Sequence, residues 1–275
     1  AIRSWSYQAP ARGYTPRTRC ASSLSLRRVV PPALERHRGL AVYRHTGEGP
    51  QIVLVHGAMD RGAGMLRVAR QLRGRSIVRY DRRGYGRSVD AAPVQRFSDQ
   101  VEDLRAVLGG RPSIVCGHSY GGVVALALAS TGPAEVLGVV TYEAPRAWEP
   151  WWPDPPALDV EPADAAEVFL RRMIGDGAWE ALPYPTREAR RAEGSTMVAE
   201  LREQQTQRYD PTVIRVPLVV GVTLVNAPPP AAYEPELPTS FEAVYAVVAA
   251  VNEALLVYSA SLKVLPPDEK LWTPC

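Results

Sequence analysis

Histidine and lysine are scarce in this 275-residue sequence, and both are unevenly placed. All four histidines lie at or before position 118, and the only two lysines are Lys263 and Lys270. The formal net charge is +3, and the arginines that supply most of the positive charge are scattered along the chain rather than gathered in a run. Because no basic cluster stands out, the charge pattern argues against a nucleic-acid partner.

Cysteine is also rare, and no apolar run reaches the length of a membrane span. Cys20, Cys116 and Cys275 show no disulfide or metal-site spacing, so we expect no metal, no cofactor and a reducing, cytoplasmic location. The most apolar stretch, VYAVVAAVNEALLVY, is interrupted by Asn252 and Glu253. It falls short of the roughly 20 apolar residues that a spanning helix needs, so we expect no membrane partner.

Acidic residues are absent from the first 34 positions, which carry six arginines among many serines, threonines and prolines. This composition resembles an organellar transit peptide, and it is equally typical of a disordered leader or of a reading frame begun too far upstream. We predict a disordered leader over residues 1–38. A nucleic-acid or membrane-surface role would rest on this segment alone.

The last fifty residues differ in composition from the rest of the chain. All 30 arginines lie at or before Arg215, whereas both lysines lie in the last thirteen residues. Such a break indicates a frameshift, a fusion or a divergent native tail over residues 225–275. A capping box at 239–242, followed by apolar residues at helical spacing, predicts one amphipathic helix there.

Strand and helix patterns alternate from residue 39 onward, which predicts an α/β fold with a mostly parallel, doubly wound sheet. We assign residues 39–143 to the first part of the core and residues 213–224 to a further core strand. Residues 144–212, with prolines, tryptophans and helical segments, are predicted to form an inserted helical cap. If the sheet lacks its last strand, the stretch LLVYSASLKVL can substitute.

The stretch GHSYGG at 117–122 places Ser119 between an apolar strand and an apolar helix. This pattern fits the G-x-S-x-G nucleophile elbow, whose glycines allow a strained turn that exposes the serine hydroxyl. The backbone N–H of Tyr120 begins the helix and is placed to face a developing oxyanion. The sequence therefore predicts Ser119 as a catalytic nucleophile.

Together with VHGAMD and YDRRGYGRS, this elbow resembles the α/β-hydrolase superfamily, in particular the small capped bacterial serine hydrolases. The resemblance implies an α/β-hydrolase fold in which Ala58 donates the second oxyanion N–H. It also implies that His56 and Asp81 shape loops rather than react. Trp148, Trp151 and Trp152 are candidates to line a substrate pocket in the cap, or to form the core of that cap.

The chain departs from the family pattern in one respect, since that pattern ends with a histidine after the last strand. No histidine follows Ser119, and His118 is expected to point away from it. Glu143, at the end of a predicted strand, matches the position where some relatives carry the triad acid, or it is a loop residue. Replacement of the base by Glu234, Glu236 or Lys263 has no support from spacing.

Two functions therefore remain open. The resemblance implies a serine hydrolase of a small-molecule ester, lactone or related carbonyl substrate, impaired because the triad is incomplete. The alternative is a non-catalytic α/β-hydrolase-like binding protein or the product of a frameshifted hydrolase gene. The sequence indicates no oligomeric state.

Overall fold

A computed structural model describes residues 33–91, 93–94, 96–150, 160–223 and 260–265. They form one eight-stranded sheet, whose strands along the chain are β1 (Ala33–His37), β2 (Leu40–His45), β3 (Glu48–Val55), β4 (Arg75–Tyr80), β5 (Ser113–His118), β6 (Val136–Tyr142), β7 (Leu218–Thr223) and β8 (Ala260–Leu265). Their order across the sheet is β1-β2-β4-β3-β5-β6-β7-β8. The pairs joining β4, β3, β5, β6 and β7 are parallel, and the pairs at the two edges are antiparallel. The prediction of an α/β fold with a mostly parallel sheet is confirmed.

The first edge is a hairpin of β1 (Ala33–His37) and β2 (Leu40–His45). Arg38 and Gly39 join the strands, and both have positive φ, at 53° and 82°. Two consecutive residues with positive φ are typical of the type I′ turn that suits the twist of a two-residue hairpin. The leader was predicted to extend to residue 38, but its last residues form β1, and residues 1–32 lie outside the described part.

The five parallel strands are buried by helices, which explains why their sequences are apolar runs rather than alternating patterns. Helix α3 is apolar all round because it packs in the main core, with ten of its eleven residues buried. The elements of this part are β3 (Glu48–Val55), α1 (Leu66–Gln71), β4 (Arg75–Tyr80), α2 (Phe97–Leu108), β5 (Ser113–His118), α3 (Tyr120–Ser130), β6 (Val136–Tyr142) and β7 (Leu218–Thr223).

Among the described residues between β6 and β7, four α-helices lie in the region that the sequence assigns to a cap, and we call them the helical insertion. They bury a small apolar cluster that includes Trp179 and Met197 from the insertion together with Met59 and Tyr85 from core loops. The insertion therefore packs on the loops that follow β3 and β4. Its helices are α4 (Pro162–Ile174), α5 (Asp176–Glu180), α6 (Tyr184–Ala192) and α7 (Gly194–Glu203).

The second edge strand is β8 (Ala260–Leu265), which pairs antiparallel with β7. It lies within the stretch LLVYSASLKVL that the sequence offered as a substitute last strand. The amphipathic helix predicted after residue 239 lies outside the described residues. Within the part of the chain that the structure describes, no helix combines the length and apolar character needed to cross a bilayer.

Candidate active site

Ser119 lies at the tight turn between β5 and α3, at the carboxyl edge of the sheet. Its φ is 51° and its ψ is −127°, a conformation that L-residues rarely adopt. Its N–H donates to the carbonyl of Tyr142 at 2.8 Å, and its own carbonyl accepts from Gly122 N–H at 2.8 Å. Strain of this kind costs about 1–3 kcal/mol and persists only where surrounding contacts impose it.

Two glycines after the serine allow the helix to approach the sheet closely. A Cβ on Gly121 would lie 2.5 Å from the carbonyl oxygens of Val55 and His56. A Cβ on Gly122 would lie 2.8 Å from the Cβ of Ala144. Because real Cβ atoms do not approach so closely, both positions require glycine, as the elbow pattern predicts.

The N-terminus of α3 begins directly at the turn, with Tyr120 as its first residue. The first N–H groups of a helix have no partner within that helix and carry its partial positive charge. The Tyr120 ring is buried against Phe97, with 6.0 Å between ring centroids, which fixes the start of the helix. The geometry of this turn suits an anionic oxygen.

Residues 56–61 follow β3 and lie against Ser119, and we call them the oxyanion loop after the role that the resemblance implies for Ala58. A Cβ on Gly57 would lie 3.0 Å from Ser119 Cβ and 3.5 Å from His118 Nδ1. The loop therefore approaches the serine as closely as a glycine backbone allows. Ala58 follows directly and packs, partly buried, against the main core. Met59 has a positive φ of 52°, so this loop is also strained.

His56 shapes the loop from within the protein interior. Its Nε2 accepts from Arg82 N–H at 2.8 Å, so its Nδ1 carries the proton and donates to the Gly57 carbonyl at 2.8 Å. Burial, and then the charge of Arg82, hold the pKa of His56 well below its ordinary value. A neutral, fully bonded imidazole is a structural group, as the resemblance implies.

Asp81 joins the loops after β3 and β4. Its carboxylate accepts from Gly62 N–H at 2.8 Å, from Arg87 N–H at 2.9 Å and from the Tyr43 hydroxyl at 3.1 Å. Every one of these partners is structural. The assignment of Asp81 to loop shaping therefore agrees with its contacts.

His118 and Glu143 form a half-buried pair beside Ser119. Nε2 of His118 lies 3.9 Å from Oε2 of Glu143, and the side chains are 38% and 42% exposed. The imidazole stacks on Tyr142 at 5.9 Å between ring centroids. A Cβ on Gly57 would lie 3.5 Å from His118 Nδ1 and 3.0 Å from Ser119 Cβ. The expectation that the His118 imidazole points away from the Ser119 hydroxyl stays a prediction.

Glu143 has the same unusual positive φ as Ser119. Its φ is also 51°, and its N–H donates to the carbonyl of Gly221 in β7 at 2.8 Å. The residue thus lies where β6 leaves the sheet, next to the elbow. This places the predicted acid beside a histidine, although that histidine precedes Ser119 in the chain.

The other histidines lie across the sheet. His37 is exposed on the edge strand β1, and His45 ends β2. Strands β4 and β3 separate β2 from β5. Burial, and then the charge of Arg79, lower the pKa of His45. Neither residue is brought to the elbow.

Trp148 packs as a structural side chain. Its ring meets Tyr209 edge-on at 5.2 Å between centroids and contacts the main core. These contacts correspond to the alternative in which the tryptophans form a core. Trp151 and Trp152 lie outside the described residues, as do Glu234 and Glu236. Lys263 lies on the edge strand β8, opposite Val220.

Within the described ranges, no group of three or more histidine, cysteine, aspartate or glutamate side chains has the arrangement of a metal site. One partly buried carboxyl group does lie in the oxyanion loop, on Asp60. Burial raises the pKa of Asp60, while the Arg61 N–H that it accepts at 2.7 Å acts in the opposite direction.

A buried ionic network, which was not predicted from the sequence, joins the helical insertion to the oxyanion loop. Arg82 and Glu200 are fully buried and form a two-pronged ion pair, with 3.1 Å between Nη2 and Oε2. The hydroxyl of Tyr85 donates to Glu200 at 2.7 Å, and the amide of Gln100 donates at 3.0 Å. Glu200 belongs to α7, so the insertion supplies the counter-charge of a core arginine.

Arg82 also binds the backbone of the oxyanion loop. Its Nε donates to the carbonyl of His56 at 2.9 Å, and its Nη2 donates to the carbonyl of Gly57 at 3.0 Å. Burial alone would lower the pKa of the guanidinium, but the charge and hydrogen bonds of Glu200 outweigh it and raise that pKa. Arg82 is therefore a permanent cation beneath the loop.

A second buried glutamate of the insertion has a similar role. Glu193 accepts from Arg61 at 3.0 Å, from Gly86 N–H at 2.9 Å and from Arg190 at 2.8 Å. Arg190 in turn donates to the carbonyl of Met59 at 3.2 Å. Glu193 therefore links the insertion to the same loop. For Glu200, in contrast, the sequence does indicate burial, because it lies three residues after Met197 on the apolar face of a helix.

Comparison with known proteins agrees with this geometry. The lipase LipV of Mycobacterium tuberculosis (strain ATCC 25618 / H37Rv) is 38% identical over 108 residues, 38% of this chain and 41% of the lipase. The uncharacterized hydrolase YraK of Bacillus subtilis (strain 168) is 34% identical over 107 residues, 37% of this chain and 40% of that protein. The chain thus aligns with less than half the length of each relative.

Solved structures support the same assignment. An alpha/beta hydrolase from Sphaerobacter thermophilus has a TM-score of 0.52 and 26% sequence identity, covering 70% of this chain and 80% of that chain. The sequence pattern of the Alpha/beta hydrolase family matches residues 52–267, which contain the oxyanion loop, the elbow and the helical insertion. The chain belongs to the alpha/beta hydrolase family.

Proposed function

We propose that this protein is a serine hydrolase of a small ester, lactone or related carbonyl substrate, with Ser119 as its nucleophile. The observation that carries the proposal is the strained backbone of Ser119 at the start of a buried helix, enclosed by glycines that tolerate no Cβ. A protein that did not use this serine would gain nothing from holding it in a costly conformation. The hydrolase names of the two curated relatives support the same reaction class.

The proposed reaction has two steps. Ser119 Oγ bonds to the carbonyl carbon, the alkoxide leaves with the serine proton, and an acyl-enzyme remains. Water then attacks the acyl group, which releases the acid and restores the hydroxyl. The N–H groups of Tyr120 and Ala58 stabilise the oxyanion in both steps, and each such donor contributes about 3 kcal/mol in serine hydrolases.

We further propose that the activity is weak, because no histidine follows Ser119 in the sequence. Loss of the triad histidine costs on the order of 10⁶ in rate, or roughly 8 kcal/mol. Binding and the oxyanion hole alone still give about 10³–10⁴ over water. His118 precedes Ser119 in the chain and pairs with Glu143, so it is the imidazole that we propose to test as a weak base.

A fluorophosphonate probe tests the proposal directly, since it reacts once with an activated serine and needs no substrate. We expect slow labelling of the folded protein that is abolished in Ser119→Ala. The matched control is Ser130→Ala, because Ser130 ends α3 and bonds only the Ala127 carbonyl of its own helix. Labelling that survives in Ser119→Ala, or that never occurs in a folded protein, would refute the proposal.

A second candidate function is a non-catalytic binding protein that keeps the hydrolase fold. The missing histidine is the observation that favours it. The same probe separates the two candidates, because a folded protein without labelling has an inactive elbow. Retained binding of small esters, measured by calorimetry on that protein, would then support the binding role.

A further inference from the structure

We propose that Arg82 and Glu200 form a positioning unit that orients and polarises the peptide group between Gly57 and Ala58. The inference deepens the proposed function, because the N–H of this peptide is the second oxyanion donor expected there. It assigns to the helical insertion an indirect part in the reaction site, through the oxyanion loop. Arg82 and Glu200 act through the peptide and touch no reacting atom.

The peptide group between Gly57 and Ala58 is one planar unit. The carbonyl of Gly57 and the N–H of Ala58 belong to the same peptide plane, so fixing the carbonyl fixes the direction of the N–H. Two donors hold that carbonyl, Nη2 of Arg82 at 3.0 Å and Nδ1 of His56 at 2.8 Å. These two bonds to the Gly57 carbonyl thereby fix the direction of the Ala58 N–H on the opposite side of the peptide.

The second step is electronic. A hydrogen bond from a charged guanidinium to a carbonyl polarises the peptide, and hydrogen-bonded chains strengthen one another in a low-dielectric interior. Since Arg82 is fully buried, this polarisation is unscreened by water. The N–H of Ala58 becomes a stronger donor toward an anionic oxygen than an isolated peptide N–H.

The third step is the need for Glu200. A buried guanidinium without a counter-charge is costly, so Arg82 stays beneath the loop only while a carboxylate neutralises it. Both carboxylate oxygens of Glu200 bond Arg82, and Tyr85 and Gln100 fix the carboxylate in turn. The strained φ of Met59 one residue beyond Ala58 shows that the loop needs such external support.

The structure offers an unusually clean spectroscopic test. Labelling with carbonyl-¹³C glycine and ¹⁵N alanine selects only Gly-Ala peptides, and the sequence has three, at 57–58, 62–63 and 177–178. The carbonyl of Gly62 is held by Arg79 at 2.7 Å, and that of Gly177 accepts from Ala181 N–H within the insertion. Neither depends on Glu200, so both serve as internal controls.

In Glu200→Gln and in Arg82→Lys we expect the ¹⁵N and ¹H resonances of Ala58 to move, because the bond to the Gly57 carbonyl weakens. The peaks of Ala63 and Ala178 should move much less. The matched control variant is Glu180→Gln, which removes an exposed partner of Arg171 and Arg187 and should leave the peaks of Ala58 and Ala63 in place. An Ala58 peak that moves no more than its two controls would overturn the proposal.

A milder variant guards against loss of folding. Tyr85→Phe removes one hydrogen bond to Glu200 but leaves the ion pair intact, so its Ala58 peak should lie between those of wild type and Glu200→Gln. Fluorophosphonate labelling of Ser119 should fall at least tenfold in Glu200→Gln and severalfold in Tyr85→Phe. An unchanged labelling rate in a folded Glu200→Gln protein would contradict the positioning role.

The two proposals fail separately. If wild-type protein is not labelled at all, the proposed hydrolase activity fails, while the Ala58 resonance still decides whether the insertion holds the peptide. If labelling occurs and the Ala58 peak does not move in Glu200→Gln, the hydrolase proposal stands and the proposal of a positioning unit is wrong.

Discussion

The two sides of Ser119 are built in opposite ways. On one side, the oxyanion loop rests on Arg82 and Glu200, which are fully buried and bonded to several partners. On the other side, His118 and Glu143 are about 40% exposed and 3.9 Å apart. The groups that support the proposed oxyanion site are buried and bonded to several partners, whereas the groups proposed to move a proton are half exposed.

This difference predicts that substitutions on the buried side change stability, whereas substitutions on the half-exposed side can change reactivity without changing stability. Buried charged groups are sensitive to any substitution, because removing one partner leaves the other unpaired in the interior. Half-exposed groups can be replaced at little cost, because water takes over their hydrogen bonds. Substitutions on the two sides should therefore differ in stability by several kcal/mol.

The largest effect is expected for Arg82→Met. This change leaves Glu200 buried without a cation, so we expect a loss of about 3–5 kcal/mol in the free energy of unfolding. Urea denaturation at pH 7.5 measures it, with Glu180→Gln as the exposed control that should cost less than about 1 kcal/mol. The double variant Arg82→Met with Glu200→Leu should regain part of the loss, and a double variant weaker than Arg82→Met would contradict this account.

Much of the oxyanion-binding side could be predicted from sequence, because its signals are local. The glycines and serine of GHSYGG lie within six residues, and their strand and helix are unambiguous apolar runs. Glu200 could not be assigned in the same way, since its partner Arg82 is 118 residues away and only the fold joins them. A glutamate on the apolar face of a helix signals a buried partner without saying which one.

The edges of the sheet were harder to predict than its centre. Strand β1 has five exposed residues and no apolar face, so no pattern distinguishes it from a leader. Strand β8 falls within an apolar stretch that fits a strand, but nothing in that stretch fixes its antiparallel direction. Exposed strands owe their place to pairing with a neighbour, which a single sequence does not display.

The pH dependence of the unfolding free energy tests the buried side, because His56 lies there. Burial lowers the pKa of His56 in the folded protein, whereas the unfolded chain has the ordinary value near 6.5. Above that pH both states are neutral, and below it the unfolded state binds a proton that the native state refuses. Stability should therefore fall as pH decreases below about 6.5, by up to about 1.4 kcal/mol per pH unit from this group.

Unfolding free energies at pH 7.5, 6.5 and 5.5 in wild type and His56→Gln provide the measurement. The variant should be less stable at every pH, but its decline between pH 6.5 and 5.5 should be shallower. Parallel pH dependences in the two proteins would show that His56 is not the group responsible.

Substitutions at Ser119, which lies between the two sides, test whether its backbone is strained. Because Ser119 has a φ of 51° that glycine adopts freely, Ser119→Gly should be more stable than Ser119→Ala by about 1 kcal/mol. Both variants remove the hydroxyl, so the difference reports the relief of backbone strain, reduced by the larger conformational entropy that glycine has in the unfolded chain. Thermal unfolding measured side by side is sufficient, and an Ala variant as stable as the Gly variant would remove strain as an argument for function.

The smallest effect on stability is expected for Glu143→Gln, on the exposed side. The pair with His118 is long and half solvated, so its loss should change the unfolding free energy by less than about 0.5 kcal/mol. The informative measurement is the fluorophosphonate labelling rate, compared with Glu200→Gln at matched temperature. If Glu143 orients His118 as a base, labelling falls although stability does not, which is the reverse of what a purely structural residue gives. If labelling is also unchanged, the activation of Ser119 comes wholly from the oxyanion side, and the buried arginine–glutamate pair is what remains of catalysis in this chain.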